Sequence, residues 1–238
     1  MTKLTDFSFL LFYIFIAALP VTIRYIYGFF KYKNSSYKNF TNKNYLNVLF
    51  DKGAYGEFLI FRVLESINPY AKVLTNLYIP REDNSLTEVD LVMIDQTGIY
   101  VFESKNYSGW IFGSEQNKYW TQTFKNKHKE KFFNPILQNR VHINALQYIT
   151  QIFDDDIFYS YIIFSKRCEL KKISLFSDNV TVLKRNELKK ALRRRMNSLK
   201  PNLSLQDVDD LYNVLLNYCN VDREISALHI KEINRKYN

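Results

Sequence analysis

Two residue types that build sites in many proteins are nearly missing from this chain. Its 238 residues include two cysteines, Cys168 and Cys219, and three histidines. Two cysteines without Cys-x-x-Cys spacing exclude a disulfide framework, and so few histidines leave a zinc site short of ligands. The same scarcity reads as a protein of a reducing compartment. The six glycines nowhere form a Gly-rich phosphate loop, and no segment repeats. An acidic excess is also lacking. The net charge is +9, a balance that ordinarily points to nucleic acid. Residues 1–46 weaken that inference, because six basic residues against Asp6 alone place +5 there.

What is abundant is apolar. Hydrophobic residues make up 47% of the chain and aromatic residues 16%, enough to fill a core and exclude global disorder. The length fits one domain of ordinary size with an appendage. The appendage is the N-terminus. Residues 7–23, FSFLLFYIFIAALPVTI, carry no charge, and with Arg24 as the sole interruption the apolar character continues to Phe30. A helix of about 20 residues crosses the hydrocarbon core, so 7–30 is long enough to span. Arg24 can snorkel to an interface that Tyr25 and Tyr27 also favour. A cleaved signal peptide and a buried helix are the rival readings. Lys31, Lys33, Lys38 and Lys43 follow the span, and that bias puts the C-terminal side in the cytoplasm. The division expected is an anchor over 1–30, a basic polar linker over 31–46 and a folded domain over 47–238.

From residue 47 on, helical and strand patterns alternate. GEFLIFRVLESI (56–67) has helical apolar spacing. Segments 72–79, 88–94 and 98–105 read as strands, 109–124 as a further hairpin and 125–132 as a charged loop. Asn134 and Pro135 are the N-cap and first residue of a helix to about 149. Buried strands are expected at 158–165 and 179–184. Helices are expected at 186–197, at 204–219 and from Arg223. Helices interleaved with a mixed sheet make one α/β domain.

The stretch GIYVFESK (98–105) is an apolar strand that ends in an acid and a base on one face, Glu103 and Lys105. An exposed ion pair there is worth about 0–1 kcal/mol and has no functional meaning by itself. The turn Asp95-Gln96-Thr97-Gly98, if it closes a symmetric hairpin, sets Ile94 opposite Ile99, Val92 opposite Val101 and Asp90 opposite Glu103. Opposed side chains sit about 4.5–5.5 Å apart at Cβ, and like charges so placed destabilise a sheet. Two carboxylates forced together beside Lys105 suit a cation site. Glu57 lies on the core stripe near its helix start, where a helix-dipole role competes with a site role. Gln138 shares a stripe with Val141, His142, Ala145 and Ile149, as a site residue or a satisfied border residue.

The ordered set Glu57, Asp90 and Glu103-x-Lys105 resembles the PD-(D/E)xK nuclease superfamily. GAYGE (53–57), VDLVMIDQTGIYVFESKNYSG (89–109), Trp120 and NPILQ (134–138) narrow the likeness to the nuclease-related domain (NERD) family, over roughly residues 47–230. Val89 replaces the superfamily's proline, and Ser104 its usual aliphatic residue. The resemblance implies a restriction-endonuclease-like mixed sheet flanked by helices, preceded here by the one transmembrane helix read from residues 7–30. It marks Glu57, Asp90, Glu103, Lys105 and Gln138 as site positions. Asp90, Glu103 and Glu57 are then the expected ligands of Mg²⁺, with Mn²⁺ as a substitute and the Ser104 carbonyl as a further donor. Lys105 is expected to orient or deprotonate the attacking water. The expected partners are nucleic acid, DNA foremost, and the membrane through residues 7–30. The expected activity is metal-dependent phosphodiester hydrolysis. The alternative is an inactive nuclease fold that binds nucleic acid or serves as a membrane-tethered scaffold.

Overall fold

A computed structural model describes residues 2–83 and 85–219. The helix expected from Arg223 lies outside the described residues. The first helix, α1 (Thr2–Lys33), is the one helix among them long and apolar enough to cross a membrane; Phe12–Lys33 has a mean hydropathy of 1.5.

The C-terminal turns of α1 do not run into a free linker. Tyr25, Phe29 and Tyr32 pack on the Tyr45 ring, with centroids 5.4, 6.1 and 5.7 Å away. Gly28 leaves the space that the Tyr45 hydroxyl occupies. Segment 31–46, expected as a polar linker, therefore belongs to the domain. Tyr32, Tyr37, Phe40 and Tyr45 are buried in the main core, while the lysines and asparagines between them face out. Glu65 fastens the segment, taking the Ser35 hydroxyl at 2.7 Å and the Ser36 amide at 2.8 Å. The sequence between these aromatics is hydrophilic enough to hide their spacing.

After α2 (Tyr45–Phe50) comes α3 (Lys52–Glu65), started by Asp51, whose carboxylate caps the Gly53 and Ala54 amides. Phe58, Ile60, Phe61 and Leu64 form its buried stripe. The strands follow as β1 (Lys72–Pro80), β2 (Leu86–Asp95), β3 (Gly98–Lys105), β4 (Gly109–Ser114), β5 (Tyr119–Thr123) and β6 (Lys129–Phe133). Helix α4 (Pro135–Thr150) separates these from β7 (Phe158–Phe164), β8 (Cys168–Ser174) and β9 (Val180–Lys184). Helices α5 (Leu188–Ser198) and α6 (Leu205–Leu216) complete the fold.

The main sheet has the order β1-β2-β3-β7-β9, antiparallel at its first two joints and parallel at the last two. The turn expected at 95–98 fixes its register. Ile94 faces Ile99 and Val92 faces Val101. Gly98 holds a φ of 143°, and a Cβ there would strike the Ile157 carbonyl, so glycine is required at this position.

A second sheet, β6-β5-β4-β8, stands beside the first. Segment 125–132, expected as a charged loop, supplies part of it. Residues 129–133 pair with β5 because Phe132 and Phe133 pack on Trp120 and Tyr119 while the charges stay exposed. Trp120 stacks on Phe164 at 6.2 Å, within a small core that includes Ile111 and Ile136 and joins the two sheets. Strand β8 has one buried residue in seven, Cys168, too little for a strand signal.

Candidate active site

Helices α4 and α3 lie against opposite faces of β3. On one face, Glu103 and Lys105 meet His142 and Gln138 of α4. On the other, the Ser104 hydroxyl lies beside Gly56 of α3. The first turn of α3 is tied to the carboxyl end of β3 by the Asn106 side-chain amide, which donates to the Lys52 carbonyl. Asn134 caps α4 through the Ile136 amide, and Pro135 occupies its first helical position. This end of α4 brings Gln138 to the strand end.

Glu103 is 2% exposed and has both oxygens engaged. Lys105 Nζ is 2.7 Å from Oε1 and His142 Nε2 is 3.1 Å from Oε2. Burial alone would raise the Glu103 carboxyl, but Lys105 and His142 outweigh it and hold the group below the usual carboxylate range. Burial likewise disfavours the Lys105 ammonium; Glu103 and then Asp90 outweigh it and hold the lysine above its ordinary value. A second Lys105 hydrogen bond goes to Gln138 Oε1 at 2.9 Å.

The ladder between β2 and β3 ends at Leu91 and Phe102, one step short of Asp90 and Glu103. There the Asp90 carboxylate accepts the Ser104 amide at 2.8 Å, so it lies against the peptide between Glu103 and Lys105. Its own carbonyl accepts the Thr75 hydroxyl at 2.7 Å. Burial, then the charges of Glu103 and Glu57, push the Asp90 carboxyl well above its ordinary value. Glu57 is pushed up to about 7, first by burial and then by Glu88, with Asp51 and Glu103 adding to the repulsion and Lys43 opposing it.

The five positions expected from the sequence thus converge on the carboxyl end of β3. Lys105 touches Glu103 and Gln138, Asp90 touches the Ser104 amide, and Glu57 joins through its charge. Three further residues belong to the cluster. His142 links Glu103 to Thr87, whose hydroxyl is 2.9 Å from Nδ1. Glu88 brings a further acid and is held by the Tyr78 hydroxyl at 2.9 Å. The signals were spacings: His142 follows Gln138 by one helical turn, and Glu88 precedes Asp90 by one strand period.

The donor set is all oxygen on its acidic side, which suits a hard divalent ion. Burial first, and then the charges of neighbouring acids, push Asp90 and Glu57 above their usual range, and a divalent ion would relieve that repulsion. Among the described residues, no three His, Cys, Asp or Glu side chains are already arranged around an ion position.

Comparison with known proteins supplies the family. A family model described as the nuclease-related domain matches residues 52–165, from the start of α3 to the residue after β7. An uncharacterised protein of Bacillus anthracis is 33% identical over 187 residues, covering 78% of this chain and 85% of the relative. No solved structure matches the chain. Residues 52–165 hold all five expected positions together with Glu88 and His142, and the chain belongs to the nuclease-related domain family, a PD-(D/E)xK-like nuclease fold.

Proposed function

We propose that this chain is a membrane-anchored, metal-dependent nuclease that hydrolyses phosphodiester bonds at the carboxyl end of β3. The observation that carries the reading is the Lys105 ammonium, held between Glu103 Oε1 and Gln138 Oε1 beside the Asp90-capped peptide. Two of its three N–H donors are engaged, and one remains for a water or a phosphate oxygen. Asp90, Glu103 and Glu57 are the residues to hold Mg²⁺ or Mn²⁺, with the Ser104 carbonyl as a further oxygen. Such an ion, when bound, lowers the pKa of a water and neutralises charge on the phosphoryl group.

Lys105 positions the attacking water or stabilises charge on the phosphoryl oxygens. Its raised proton affinity favours those roles over that of a base. Gln138 steadies Lys105 with its oxygen, while among the described residues its two amide N–H donors are unused. His142 fixes the Glu103 carboxylate. In the reaction, the water oxygen bonds to phosphorus, the P–O bond to the leaving nucleotide breaks, and the departing oxygen takes a proton. DNA is the first substrate to test.

The membrane part of the proposal rests on α1 and the lysines after it, a charge bias that favours a cytoplasmic domain. A C-terminal reporter active only outside the cytoplasmic membrane would overturn it. One observation favours a second reading, a nucleic-acid-binding module without catalysis: both Glu103 oxygens already have partners. The full chain in detergent, wild type against Lys105→Ala, separates the two. Cleavage of DNA or RNA with Mg²⁺ or Mn²⁺ by wild type and none by the variant supports the enzyme. No cleavage by either protein moves the reading to the binding module, and equal cleavage by both rejects the site.

A further inference from the structure

Three parallel strands, β3, β7 and β9, lie side by side with Lys105, Phe164 and Lys184 in register at their ends. Each ends in base or is followed by it. The chain reads ESK at the end of β3, FSKR after β7 and LKR after β9. Backbone bonds draw these ends together: the Ser165 amide donates to the Lys105 carbonyl and the Arg185 amide to the Phe164 carbonyl, each at 2.9 Å. Arg167 Nη2 is 2.9 Å from both the carbonyl and the side-chain oxygen of Asn106, the residue after Lys105. Arg185 lines a small crevice with Gly56, Ser104, Lys105, Asn106 and Ser165.

Neither guanidinium is in ion-pair contact with a carboxylate among the described residues. Nearby Glu169 is taken by Lys171 at 2.6 Å, and Glu187 accepts the Lys184 amide at 3.4 Å. Arg185 makes no side-chain hydrogen bond among the described residues, and Arg167 uses Nη2 alone. Arg185 is partly buried, which disfavours its charged form; Tyr55 opposes that loss and Arg167 adds to it. Packing alone does not require two arginines to adjoin Asn106 without an acid. Five-donor guanidiniums suit a phosphate better than an ammonium does.

We propose that Arg167 and Arg185 form a phosphate-binding subsite that takes a backbone phosphate adjoining the one held at Lys105. Both arginines lie beyond the residues matched by the family model. The nature of the ligand, a nucleic-acid strand, rests on the nuclease reading above; the anion site itself rests on the unpaired charges. The subsite orients the strand along the carboxyl ends of β3, β7 and β9 and carries no base specificity.

The test is fluorescence anisotropy with the full chain in detergent, a labelled DNA duplex and its single strand, in EDTA so that nothing is cut. Wild type is compared with Arg167→Ala, Arg185→Ala, Arg185→Lys and, as a control, Arg195→Ala, whose side chain packs on Tyr159. Each alanine variant in the pair should weaken binding about tenfold to a hundredfold at low salt and make the slope of log K against log salt shallower by about one. Arg185→Lys should restore most of that slope, and Arg195→Ala should match wild type. If Arg185→Ala fails to fold, the exposed Arg167 and the lysine variant decide the matter. A wild-type slope in the arginine variants overturns the subsite, as does wild-type protein without salt-sensitive binding. Weaker association with phosphatidylserine vesicles alone, with DNA binding intact, also overturns it. The two readings fail separately. Arginine-dependent binding without wild-type cleavage removes hydrolysis and keeps the subsite. Normal cleavage, KM and binding in both alanine variants keep hydrolysis and remove the subsite.

Discussion

The two ends of the parallel strands carry opposite charge and treat it differently. Ahead of β3, β7 and β9 stand Asp95, the run Asp154-Asp155-Asp156, and Asp178. Most of these acids have local work. Asp95, 3% exposed, accepts the Asn68 side chain at 2.6 Å and the Thr97 amide at 3.0 Å. Asp154 caps the Asp156 amide at 3.0 Å and Asp155 takes the Gln147 side chain at 2.7 Å. At the other end the bases outnumber their partners, and the acids crowd one another. Satisfied charge marks the end that holds the fold, and unsatisfied charge marks the end proposed to take a ligand. Variants at the amino end should therefore cost stability and spare function, and those at the carboxyl end should do the reverse.

The largest expected effect is at Asp90. Asp90→Asn should lower Mg²⁺-dependent cleavage by about a hundredfold or more. It should also raise the thermal midpoint in EDTA, because it removes one member of a mutually repelling set. An Asp90→Asn protein that loses activity and stability together would break the comparison.

A paired measurement comes next. His142→Ala leaves Glu103 Oε2 buried without its partner and should cost about 3 kcal/mol in urea unfolding, with reduced cleavage. Asp95→Ala strands the Asn68 and Thr97 donors and should cost about 2 kcal/mol, with cleavage per folded molecule unchanged. His142 is the exception to the contrast, a structural residue at the functional end. Activity loss in Asp95→Ala beyond its unfolded fraction would blur it.

The smallest effect is a pH slope. Glu57 rises from its ordinary 4.5 to about 7 in the folded protein. A carboxyl with a raised folded value contributes stability that is full below its unfolded value and lost as pH climbs through the folded one. The ion-free protein should lose a few degrees of thermal midpoint as pH passes from about 4.5 to about 7. Glu57→Gln should flatten that slope in part, since Asp90 contributes with the same sign. An identical slope in the variant would show that Glu57 carries none of it.

Local chemistry made half of this legible before any coordinates. The Asp95–Gly98 turn fixes a register, so the meeting of Asp90 with the Glu103–Lys105 strand end followed from the chain alone. Asn134-Pro135 fixed the start of α4 and hence the reach of Gln138. His142 was on view as a core-stripe residue, but its partner Thr87 is 55 positions away and only the fold brings them together. The second sheet was hidden for a different reason. Strands β6 and β8 bury too few side chains to alternate visibly, and they are held mainly by pairing to β5 and β4. The buried tyrosines of 31–46 were masked by lysine and asparagine neighbours.

The clasp of Tyr25, Phe29 and Tyr32 on Tyr45 has a mechanical meaning. A flexible chain over 31–46 would let the domain drift about 22 Å from its anchor. With the clasp closed and α1 in a bilayer as proposed, helix and domain would turn as one lever, and a tilt of α1 would pass to the strand ends. The protein then surveys a layer no thicker than itself, with a radius of gyration of about 16 Å. On the proposed function, its rate would then be set by how often strands are delivered to the membrane surface, and not by excursions of its own.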